Sequence, residues 1–105
     1  MEVYNVTIKA TGTGATITFD DIGFTPAAVE IIVAGRNTTG GVLFFWTDKM
    51  ANGAGYKLVA NSSGNTATFS AMSSGGVTPL PNGFILGADT DVNVNGEVMQ
   101  IIVRR

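Results

Sequence analysis

The sequence predicts an all-β protein: a two-sheet antiparallel β-sandwich, jelly-roll-like, of about eight short strands. Two observations lead there. Apolar residues recur with period two almost throughout, and no window sustains the i, i+3, i+4, i+7 stripe of a helix. Clusters of Gly, Asn, Asp, Ser and Pro break this pattern roughly every 8 to 12 residues, the spacing of sandwich folds. With 105 residues, 45% of them hydrophobic, the chain reads as a single domain over 1–105 with one core.

The elements follow in order. In "VYNVTIK" the residues Tyr4, Val6 and Ile8 share one face, and Asn5, Thr7 and Lys9 the other, as in a half-buried strand. "ATITF" turns Ala15, Ile17 and Phe19 inward, and Gly12-Thr13-Gly14 between the two strands predicts a hairpin. "AVEIIVA" (28–34) and "VLFFWT" (42–47) are nearly continuous apolar runs joined by "GRNTTGG", which predicts central strands covered on both faces. Alternation sends Phe44 and Trp46 to one side and Phe45 to the other. These aromatics are expected in the core; were one face exposed, it would be a sugar platform or an anchor at a subunit interface.

"YKLVA" (56–60) and "TATFSA" (66–71) make the next pair of strands, with Ala67, Phe69 and Ala71 on a common side. "GFIL" (83–86) and "EVMQIIVRR" (97–105) complete the set, and Met99, Ile101 and Val103 form the more apolar face of the last strand. Residues 50–55 and 72–82, which carry Gly, Ser and two of the three prolines, read as the longest irregular segments. Binding contacts concentrate on such loops.

Composition excludes much chemistry. The absence of cysteine removes disulfides, thiolate metal sites and thiol catalysis; the absence of histidine removes the commonest general base and transition-metal ligand. Only 13% of residues are charged, against about 25% in an ordinary domain, and the net charge is −2. A neutral Thr, Ser, Asn and Gly surface suits a protein packed against other subunits or working outside a cytoplasm. The six basic residues are scattered apart from Arg104-Arg105, so nucleic acid is not an expected partner. "MEVYNVTIKA" lacks the basic and apolar regions of a signal peptide, and no apolar run reaches the length of a membrane span.

"DTDVNVNG" (89–96) fits the opening half of a calcium loop, with oxygen-bearing side chains at alternate positions and then glycine. Its second half does not fit. The twelfth position from Asp91 is Ile102 where the motif needs a bidentate glutamate, and strands stand where it needs helices. Asn95-Gly96 instead predicts a type I′ turn or a similar positive-φ corner, with Asp89 and Asp91 bonding their own backbone or holding an ion weakly. Asp20 and Asp21 are adjacent on an extended segment and point apart, so they cannot share a substrate as acid and base. Ser62, Ser63, Ser73 and Ser74 have no histidine to activate them, and spacing identifies no partner for Lys49 or Lys57. No enzyme, cofactor or metal is expected.

"IGFTPAAVEIIVAGR" (22–36) and "NGFILGADTDVNVNGEVMQIIVRR" (82–105) together resemble small β-sandwich virion proteins and terminal modules of tailed bacteriophages. In that group a G-F-x-P-x-x-V segment opens one central strand, while a G-F-x-L-G segment, an Asp/Asn-rich turn and an apolar strand close the domain. The resemblance implies a capsid decoration (cement) protein, or a tail-associated module, on the outer capsid surface. Its expected partners are the major capsid protein and further copies of itself, as a trimer. The expected contact residues, chosen for loop position, charge and flexibility, are Arg36, Asn37, Thr38, Met50, Asn52, Arg104 and Arg105. A second likeness is to the H-type lectin sandwich, in which an F-x-P-x-V stretch also precedes a central strand, and it implies carbohydrate binding on a phage tail or surface protein.

Overall fold

The computed structural model describes residues 5–34, 40–63 and 65–105. The fold is all-β, with eight strands: β1 (Asn5–Thr11), β2 (Ile17–Phe19), β3 (Ala28–Val33), β4 (Gly41–Thr47), β5 (Ala54–Ala60), β6 (Ala67–Leu80), β7 (Gly83–Leu86) and β8 (Val98–Arg104). All pairings are antiparallel, and they join the strands into one sheet in the order β1-β8-β3-β4-β5-β6-β7-β2.

This order overturns the expected first hairpin. β1 pairs with β8 and β2 with β7, so the two strands lie at opposite edges of the sheet. Laid flat, eight strands at about 4.8 Å spacing would put those edges roughly 34 Å apart. The link from Thr11 to Ile17 can reach only about 20 Å. The sheet therefore has to curl, and the hydrogen-bonded ladder runs through it unbroken rather than dividing into two separate sheets.

Two glycine-dependent features let it bend. Gly55 pairs with Met72 but Ala54 with Val77, so residues 73–76 bulge out of β6 where the strand changes direction. Gly75 there has φ +81, and a Cβ on Gly87 would strike its backbone, which fixes both positions as glycine. The expected irregular segment 72–82 is thus mostly strand: a bulge, then a ladder to β7, closed by a two-residue turn at Pro81-Asn82. Pro79 lies beyond the end of the β5 ladder, where its missing N–H breaks no bond.

The concave face holds the core. Val29, Ile31 and Val33 of β3, Val42, Phe44 and Trp46 of β4, and Met99, Ile101 and Val103 of β8 are buried, every second residue of each strand. Met72, Val77, Phe84 and Leu86 close over them from the other half of the curl, with Val92 from the loop before β8. Each large side chain removed from water this way stabilises the fold by about 1.5–3 kcal/mol. Val6, Ile8, Ile17 and Phe19 pack on this core with the expected parity; Ala15 is exposed, and Tyr4 lies outside the described residues. The expectation that β3 and β4 are covered on both faces is corrected: they bury alternate residues only, and Leu43 and Phe45 are exposed.

Candidate docking face and the loop that braces it

The loop between β7 and β8, residues 87–96, carries the densest polar network. Asp89 Oδ2 accepts hydrogen bonds from the backbone N–H of Asp91 (2.9 Å) and Val92 (3.2 Å), an Asx turn that delivers Val92 into the core. The Lys57 ammonium, reaching over from β5, lies 2.9 Å from Asp89 Oδ1 and 2.8 Å from Asp91 Oδ2. Burial by itself would lower the Lys57 pKa; the hydrogen bonds it donates to Asp91 and Asp89 and their negative charge outweigh it and hold the pKa above 10.5. The lysine is thus a charged partner for the two carboxylates that had suggested an ion. Its spacing in the sequence could not reveal this, because the two ends lie more than 30 positions apart.

Asn93 joins the ends of the curl. Fully buried, it accepts from Thr13 N–H at Oδ1 (2.9 Å) and donates through Nδ2 to the carbonyls of Ala15 (2.6 Å) and Gly87 (3.0 Å). One side chain thereby ties the β1–β2 link to the end of β7. Gly12 lies flat on this loop: its N–H donates to Glu97 O, its carbonyl accepts from Gly96 N–H, and a Cβ there would run into the Val94 carbonyl. The corner at Asn95-Gly96 is closed by Glu97 N–H to Val94 O, with φ +85 at Gly96 and no positive φ at Asn95. That is the geometry of a type II turn rather than type I′.

The convex face of β3 to β6 is the second feature. Register places Ile32, Leu43, Leu58 and Phe69 side by side in one row, and Glu30, Phe45, Tyr56 and Ala71 in the next. Tyr56 and Phe69 stack with ring centres 5.3 Å apart, and Phe45 sits 6.2 Å and 6.3 Å from them. Phe69 is 58% exposed and Phe45 is exposed too, with Tyr56 half-buried between them, so the trio lies on the surface rather than in the core expected of the Phe45 strand. Glu30 is the one charged side chain on this face among the described residues of these four strands. Next to the row lies a depression of about 260 Å³ lined by Ile32, Ala34, Gly41, Leu43, Leu58 and Ala60, where the small residues leave the surface low.

The expected contact residues are dispersed. Met50 is half-buried against the core, in a turn held by the Trp46 indole N–H on Ala51 O (3.2 Å), and Asn52 is exposed in the same turn. Arg104 is half-exposed at the end of β8 with Glu30 3.6 Å away, a pair worth little in open solvent, and Arg105 is exposed beside it. Arg36, Asn37 and Thr38 lie outside the described residues. The aromatic trio was missed in this set although parity was available: with Phe44 and Trp46 inward, Phe45 has to face out. Tyr56 and Phe69 needed the pairing of β4, β5 and β6 to join it.

Among the described residues no group of three or more acidic side chains is arranged to hold a metal ion. Comparison with protein-family models, with curated proteins and with solved structures finds no match to this chain.

Proposed function

We propose that this chain is a non-enzymatic structural protein that acts by docking its convex sheet face onto protein in a larger assembly. The observation that carries the reading is the set of exposed Phe45 and Phe69 with half-buried Tyr56 between them, on a nearly uncharged four-strand surface. Monomeric proteins seldom expose apolar patches beyond a few hundred Å², and aromatics are the side chains most enriched in interface centres. The non-enzymatic part of the reading rests on the lack of His and Cys, and on the use of Asp89, Asp91 and Lys57 to neutralise one another.

In its narrower form the proposal is a virion decoration protein on the outer capsid surface, with the major capsid protein and its own copies as partners. The likeness of residues 22–36 and 82–105 to phage virion sandwiches supports it. On this reading the curled sheet functions as a jelly-roll-like sandwich whose halves are linked by β6 through its 73–76 bulge. Stabilisation would come from many modest contacts repeated over the shell. Quantitative mass spectrometry of purified virions whose genome encodes this chain tests it: the expected copy number approaches that of the major capsid protein, and absence from washed particles overturns it.

A carbohydrate-binding module is the second reading. Exposed Phe69 favours it, on the same hairpin as the Asn61, Ser63, Asn65 and Thr66 hydrogen-bonding turn, because an open ring beside amide and hydroxyl groups is how sugars are often gripped. Saccharide titration followed through Tyr56 and Trp46 fluorescence separates the two.

A further inference from the structure

We draw no further inference here: the strongest candidate, the aromatic surface patch of Phe45, Tyr56 and Phe69 on the convex face of β4 to β6, belongs to the docking reading already proposed, and nothing in the structure shows what covers it.

Discussion

The Lys57 ammonium and the Asp89 carboxylate meet through both carboxylate oxygens, at 2.9 Å and 3.1 Å, with Asp91 completing the cage. The contact ties β5 to the loop that precedes β8. It joins the strand at the middle of the proposed docking face to the loop that fastens the two edges of the sheet.

Stability should show this contact in alkali. The Lys57 pKa is raised on folding, so its contribution is complete below the ordinary lysine value of 10.5 and is lost as the pH climbs through the higher folded value. Lys57→Met should be destabilised at pH 8 by about 1–3 kcal/mol, because it removes the ammonium that both carboxylates share and leaves their negative charges side by side. It should also lack the alkaline step. Urea midpoints of both proteins at pH 8 and above the folded pKa measure this; identical alkaline losses would remove Lys57 as the cause.

Calcium should leave the wild-type melting temperature unchanged, since the Lys57 ammonium supplies the positive charge between Asp89 and Asp91. Differential scanning calorimetry with and without millimolar calcium is sufficient. A rise of several degrees would mean that the ion displaces the lysine.

Asn93→Ala should cost about 3–5 kcal/mol, because Thr13 N–H and the carbonyls of Ala15 and Gly87 lose their partner at a buried site. Asn93→Asp should not rescue it. A carboxylate can accept from Thr13 but cannot donate to either carbonyl. Chemical unfolding of the two variants tests the point, and wild-type stability in Asn93→Asp would show that the carbonyls find other donors.

Two glycines give contrasting expectations. Gly12→Ala drives a methyl into the Val94 backbone and should cost more than about 2 kcal/mol. Gly23→Ala meets nothing within 4 Å and pays only for its φ of +97, about 1–2 kcal/mol. The reverse order in urea titrations would show that the 87–96 loop can shift away from Gly12.

Period two made the strands legible, and in β8 the inward face too, where Met99, Ile101 and Val103 fall as alternation puts them; in β3 and β4 the near-continuous apolar runs hid the face left uncovered. Pairing was not legible, because strand partners are chosen by the whole sheet. Gly12-Thr13-Gly14 looks like a hairpin turn, yet the chain there crosses from one edge of the sheet to the other. The 72–82 segment was misread for a related reason, its Gly and Pro serving a bulge and a ladder end rather than a loop. At the 87–96 loop, the turn at Asn95-Gly96 was readable from two adjacent residues. The roles of Lys57 and Asn93 were not, because each acts on residues distant in sequence. The docking face was half visible: parity exposes Phe45, but only registration against β5 and β6 makes it part of a surface.

β8 is held between β1 and β3, and among the described residues it is the only strand that β1 pairs with. During translation, then, both neighbours wait with open ladders until Val98–Arg104 emerges, and the β1–β2 link has nothing to rest on before the 87–96 loop arrives. Closure depends on contacts almost a full chain length apart, which slows folding. For that interval the nascent chain presents two unpaired apolar edges, and a chaperone or a neighbouring copy could engage them first.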